Sequence, residues 1–341
     1  MEEIVQKIHK EHVIIDAHRD CYEQIHHRNY GHKTPLHEFM IPRLETGGVD
    51  MVIYAIGGDT IAHSNGTDRP LRATIENIDG YYQEAEMADS KIKTVFSGSD
   101  LPADGPNGKM HYLLHIEGGM PLEGQISSLR MFYRLGVRSF APTWNVRNEL
   151  GEGVRERHNG AGLTKFGIEV MKEAQRLGML IDVSHLSGPG VDDILDIAEQ
   201  PVVATHSNSA VLFNHPRNLT DERITRIAQT GGVVGMHFAP AYIHPEVNSV
   251  ERLVDHIDHM VDMVGIEHVG IGPDFVKSDG PRSPREALYG GVHSRFIEDL
   301  AEIDELPTLT RSLLRRNYTE QDIVKIYGGN FLRVLKQVLD K

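Results

Sequence analysis

The chain predicts a (β/α)8 barrel, the TIM-barrel class of α/β fold, and three observations point there. Eight strand-length apolar runs alternate with segments of helical apolar spacing along 341 residues, the element count of a closed parallel barrel. Five of those runs lead within a few residues into a histidine or a carboxylate, and the carboxyl ends of barrel strands are where that fold carries its chemistry. The stretch from Gly178 to Arg217, GMLIDVSHLSGPGVDDILDIAEQPVVATHSNSAVLFNHPR, shows the unit most plainly. Its apolar runs, Met179 to Val183 and Val202 to Ala204, flank a Gly-Pro-Gly turn and a helical pattern at Val191, Ile194, Leu195, Ile197 and Ala198. A strand, helix, strand connection makes the two strands parallel, so His185 and His206 stand at one edge of the sheet.

The remaining elements follow in order. Val13 to Ile15 reads as strand one and leads into His18 and Asp20, whose spacing of two points both side chains one way on extended backbone. A His-x-Asp pair so placed can chelate one cation, although a polar loop with a helix cap reads equally well from these residues alone. Cys21 to Pro42 is polar, holds His26, His27, His32 and His37, and shows no period, which predicts a long loop over the site with mostly solvated histidines. Strand two is Val49 to Ile56, stopped by Gly57 and Gly58, and Arg69 to Ala88 has helical spacing. Strand three, HYLLHI, ends at Glu117 before two glycines; a carboxylate there has no place in an apolar core. A helix over Ile126 to Leu135 precedes strand four, Val137 to Ala141, which leads to Trp144, a packing residue or a pocket wall. Thr164 caps a helix reaching Arg176, and Thr220 to Ala228 forms the helix before strand seven, VVGMHF, with Tyr242 in the loop beyond. The helix Val250 to Val264 precedes strand eight, His268 to Ile271, which ends at Asp274. The tail, Asp322 to Leu339, has helical spacing interrupted at Gly328 and Gly329 and is expected to close the barrel bottom or pack on its side. No Ser/Gly/Pro-rich linker divides the chain, so residues 1–341 are expected to form one domain with carboxyl-terminal helices.

Composition narrows the function classes. A hydrophobic content of 40% with 25% charged residues supports a large core. The net charge of -14, with no basic stripe to offset it, argues against a nucleic-acid partner. Cys21 is the only cysteine, which excludes an intrachain disulfide and leaves a thiol ligand without a soft companion. The segment MEEIVQKIHKEH lacks the apolar core of a signal peptide, and no run has the length of a membrane span, so a cytoplasmic protein with no membrane partner is expected.

The ordered series IDAHRD, HIEGG, IDVSHLS, ATHSNSA, HPRNLTDE, GIGPDF and RRNYTEQDIVKIYGGNFLRV resembles the membrane (renal) dipeptidase family of zinc peptidases, over nearly the whole length. That resemblance implies a barrel carrying two Zn2+ ions and hydrolysis of dipeptides, L-Xaa-D-Xaa pairs among them, by a metal-bridging hydroxide. It implies His18 and Asp20 as ligands of one zinc, His185 and His206 of the other, and Glu117 as the bridge. Asp274, after the last strand, is placed to pass a proton to the leaving amine, although a helix cap or salt-bridge partner also reads from that position. It also matches Arg217 to an arginine that holds the dipeptide's terminal carboxylate and Tyr242 to a weaker substrate contact, and it suggests a homodimer. One departure concerns the oxyanion: better-known members carry a histidine after strand four where this chain has Trp144. An indole donates one hydrogen bond and carries no charge, which shifts that task toward zinc or another donor such as His158.

Two alternatives remain open at this point. An amidohydrolase-type barrel acting on another amide, ester or lactone would often use a carbamylated lysine after strand four, and SFAPTWN offers none. A non-catalytic binding barrel would not need all six metal and proton-transfer residues.

Overall fold

Parallel strands with helices between them are the product of the alternating pattern. The computed structural model describes residues 1–60, 67–103, 108–156, 160–275 and 297–340. Its strands are β1 Ile15–Asp20, β2 Met51–Gly58, β3 Ile92–Thr94, β4 Met110–Glu117, β5 Val137–Ala141, β6 Leu180–Asp182, β7 Val202–Val203, β8 Val234–Met236 and β9 Val269–Ile271. The parallel order β1-β2-β4-β5-β6-β7 is continuous, a parallel bridge from Ala204 to Val234 carries it to β8, and β8 pairs with β9. β9 lies beside β1, so the sheet curls into a (β/α)8-type barrel.

Strand parity sorts the core. On β4, Tyr112, Leu114 and Ile116 join the large apolar cluster beneath the helices, whereas Leu113 joins a smaller internal one. Side chains alternate along a strand, so His115 and Glu117 continue the inward row that Leu113 begins. The internal cluster is built from Ile15, Ala17, Met51, Ile53, Leu113, Leu180, Val203 and Val233. Phe331, Val334, Leu335 and Val338 of the last helix, Asn330–Leu339, complete it, so the tail closes the barrel bottom. Gly270 makes room for this plug, because a Cβ there would meet the Phe331 ring at 2.4 Å.

β1 carries an irregularity that matters above the plug. Asp16 pairs with Val52 and Arg19 with Tyr54, so three steps on β1 oppose two on β2. An extra residue of this kind re-aims neighbouring side chains, and here it turns His18 toward the interior together with Asp20.

Several sequence expectations need correction. β1 starts at Ile15 and includes His18 and Asp20, which were expected just past the strand. The expected loop from Cys21 to Pro42 holds a helix, Tyr22–Asn29, and a π-helical turn, Leu36–Met40, running into a second helix, Ile41–Gly47. Its apolar residues Ile25, Leu36, Met40 and Ile41 are buried, but too widely spaced to give a period. Nor are its histidines mostly solvated: all four are half-buried, His27 stacks on Phe39 with centroids 3.8 Å apart, and His37 Nδ1 lies 3.1 Å from Glu84 Oε2. β3 was missed; three residues are too few for an alternation to register, and it pairs only with the first part of β4.

Other elements match. Thr164 and Thr220 cap the helices Lys165–Arg176 and Asp221–Gln229 by accepting the N–H of Gly167 and Arg223, and the helix Val250–Val264 has the expected bounds. Among the described residues, no helix is long and apolar enough to cross a membrane. Phe331→Ala should lower the unfolding free energy by about 3–5 kcal/mol in a denaturant titration, through the cavity left in the plug; a loss under about 1 kcal/mol would mean that the tail does not hold the barrel closed.

Candidate metal centre

The inward rows of the strands end in donors, and these converge. Glu117 Oε1 lies 3.4 Å from His18 Nε2, 3.1 Å from His185 Nε2 and 3.5 Å from His206 Nε2. Asp20 Oδ1 stands 3.8 Å from the same nitrogen, His18 Nε2. The groupings His18, Asp20, Glu117 and Glu117, His185, His206 each keep their ligand atoms within 4.8 Å of one another. Five residues read from four strand ends therefore come together, with Glu117 shared by both groups. Asp274 arrives beside them through His206 and His237, a third grouping within the same distance.

Neighbouring side chains set the tautomers of two imidazoles. His185 Nδ1 is 2.8 Å from Asn145 Oδ1, an acceptor, so Nδ1 carries the proton. Thr205 Oγ1 donates to Asp182 Oδ2 at 2.5 Å; its remaining role toward His206 Nδ1, 2.9 Å away, is to accept. Both rings thus present an unprotonated Nε2 to the centre, and these two nitrogens face each other at 2.8 Å. Burial pushes both histidines well below their usual range, so protonation does not relieve the opposition. Opposed lone pairs beside a carboxylate oxygen with no hydrogen-bond partner are what a cation resolves. The donor set of imidazole and carboxylate fits zinc or a similar divalent ion.

The field of the site agrees. Burial disfavours a charged His18, yet the carboxylates of Glu117, Asp20 and Asp274 outweigh it and push the ring up to about 10. Burial raises Glu117 well above the usual carboxylate range. Burial also works against a charged Asp274, but His237, His18 and Arg217 hold it below that range. Two of these residues occupy left-handed backbone, His185 at φ 67° and Asp274 at φ 53°, a conformation non-glycine residues adopt at a cost and often at working sites.

Of the expected substrate residues, Arg217, Tyr242 and Trp144 stand around this centre. Arg217 is buried, its Nη2 donates to His206 O at 3.1 Å, and its guanidinium lies 5.7 Å from the centroid of the Tyr242 ring. Arg217 Nε has no hydrogen-bond partner among the described residues. Trp144 stacks on His185 at 5.6 Å and 27°, a wall of the centre. His158 lies outside the described residues. A cavity of about 360 Å3 opens beside His185 and Arg217, lined also by Val183, Ser207, His215 and Leu219, a volume suited to a small ligand.

Sequence reasoning missed the supports. Asn145, Asp182, Thr205 and His237 act only through spatial partners, although Asn145 and Thr205 sit next to residues already singled out. Asp59 follows β2 and accepts the backbone N–H of Met120 at 2.8 Å and of Trp144 at 3.0 Å, joining three strand-end loops. Gly118, at φ 107°, allows this approach, since a Cβ there would lie 2.2 Å from the Asp59 carboxyl carbon. Burial pushes Asp59 up to about 6.

Comparison with known proteins adds the lineage. The family model "Membrane dipeptidase (Peptidase family M19)" matches residues 2–340. A protein of Klebsiella pneumoniae described as uncharacterised, in the pqqA 5′ region, is 33% identical over 258 residues, 73% of this chain and 89% of that one. An uncharacterised dipeptidase of Schizosaccharomyces pombe is 32% identical over 275 residues, 78% of this chain but 62% of its own length, so the chain spans under two thirds of that relative. A solved metallo peptidase from Rhodobacter sphaeroides, liganded with a phosphinate mimic of the dipeptide L-Ala-D-Ala, has a TM-score of 0.81 at 22% identity, covering 96% of this chain and 100% of that one. At that identity the likeness speaks for the fold. A family match omitting one residue at each end, with relatives above 30% identity, makes this chain a member of the membrane dipeptidase family, peptidase family M19.

Proposed function

We propose that this chain hydrolyses free dipeptides, L-Xaa-D-Xaa pairs among them, with two zinc ions. His18 and Asp20 would hold one ion, His185 and His206 the other, and the Glu117 carboxylate would serve both. The observation that carries this reading is Glu117 Oε1 ringed by three imidazole nitrogens at 3.1 to 3.5 Å. Two such ions, when bound, supply Lewis acidity toward a carbonyl oxygen and lower the pKa of water.

The chain's own groups supply the rest. Asn145 and Thr205 keep the proton of His185 and His206 on Nδ1, so that Nε2 stays available. Asp274, held ionised, takes the proton that the attacking water releases and delivers it to the leaving amine nitrogen. Arg217 offers a buried guanidinium to the carboxylate that ends a dipeptide, and its fork geometry suits two parallel hydrogen bonds. A carboxylate so fixed would set the distance to the scissile bond and exclude longer peptides. Trp144 would shield the His185 side of the centre from water through its stack on that ring.

A panel of free dipeptides, the same dipeptides C-amidated and matched tripeptides tests the reading; hydrolysis confined to the free dipeptides and lost on chelator dialysis is expected, and equal cleavage of the amides would contradict it. Arg217→Met should reduce kcat/KM for free dipeptides about 10- to 100-fold, the scale of hydrogen bonds to a charged group, and an unchanged value would remove the carboxylate role. Asp274→Asn should lower kcat roughly 100-fold or more with zinc content retained; undiminished turnover would assign proton transfer elsewhere.

A further inference from the structure

We propose that His237 is a positioning residue for Asp274, tethering its carboxylate through a single N–H on Nε2 and so fixing where the proton is delivered. This rests on the reading of Asp274 as the proton carrier. His237 follows β8 and is buried. Its Nδ1 accepts the backbone N–H of Ala239 at 3.0 Å. A ring nitrogen that accepts carries no proton, so the neutral imidazole holds its proton on Nε2. That nitrogen lies 3.2 Å from Asp274 Oδ2.

The donor is held from behind. The backbone N–H of His237 donates to Asn208 Oδ1 at 3.1 Å, and Asn208 Nδ2 donates back to His237 O at 2.9 Å. Tyr242 packs edge-on against the ring, with centroids 4.8 Å apart. Asp274 follows β9 in left-handed backbone, and this contact gives its carboxylate a fixed donor. The tautomer also separates His237 from the metal ligands although His206, His237 and Asp274 lie within 4.8 Å. A ligand needs a lone pair toward the ion, and the lone pair of His237 is turned to Ala239. His185 and His206 have the opposite arrangement, with Nδ1 protonated and Nε2 free.

The test compares the full-length parent with His237→Ala and His237→Gln, whose amide nitrogen can reach the place of Nε2, using L-Ala-L-Ala as substrate. His237→Ala is expected to lose about 10- to 100-fold in kcat, with KM within about twofold and zinc content unchanged. His237→Gln should recover most of that loss. In an Asp274→Asn background, His237→Ala should add no further loss, because the residue acts through Asp274. The proposal is overturned by unchanged kcat in His237→Ala, by zinc loss in the glutamine variant, by a glutamine variant as slow as the alanine one, or by additive loss in the double variant. If the alanine variant does not fold, the glutamine variant carries the test: it must keep parental zinc content and kcat within about threefold. Inactivity of the parent on every free dipeptide would overturn the reading of the site, and this proposal with it.

Discussion

Opposed imidazole lone pairs around one buried carboxylate are the constraint on which the rest of this molecule depends. Three ring nitrogens surround one oxygen of Glu117, and two of those nitrogens are committed by their tautomers to face each other unprotonated. Such an arrangement is costly in an apolar interior without positive charge to share. Elements far from the centre serve to keep the arrangement from relaxing.

The barrel does this by layers. Alternate residues of the strands fill the bottom with aliphatic side chains, and the last helix plugs it with Phe331 and its neighbours. One step up, the same rows turn polar: His115 Nδ1 meets Ser139 Oγ at 2.8 Å, and Asp182 gathers Thr205 and Ser184. The third step is the candidate metal centre, so Glu117 and His206 stand above side chains that are themselves hydrogen-bonded. Asp59 then binds the loops after β2, β4 and β5 together above it. Rigid strands with their chemistry at one end leave the loops free to shape a cavity without disturbing the ligands.

Much of this was legible from residue order alone, for a physical reason. Buried parallel strands read as short apolar runs, and a charged or imidazole side chain at the end of such a run conflicts with core packing unless it has a task. His18, Glu117, His185, His206 and Asp274 were visible for that reason, and Thr164 because a cap needs only its local sequence. The helices between Tyr22 and Gly47 were not, since half-buried histidines and charges fill the spaces between their apolar residues. β3 was too short to show its alternation. Asn145, Asp182, Thr205 and His237 owe their importance to partners 20 to 40 residues away, such as Thr205 with Asp182 and His185 with Asn145. Those pairings exist only once the barrel has closed.

Anomalous diffraction across the zinc absorption edge, from crystals of the purified protein, tests the central claim most directly. Two peaks flanking the Glu117 carboxylate are predicted, one within about 2.0–2.3 Å of His18 and Asp20 and the other of His185 and His206. No peak at Glu117 in zinc-saturated crystals, or a peak bound only through His237 and Asp274, would contradict the account.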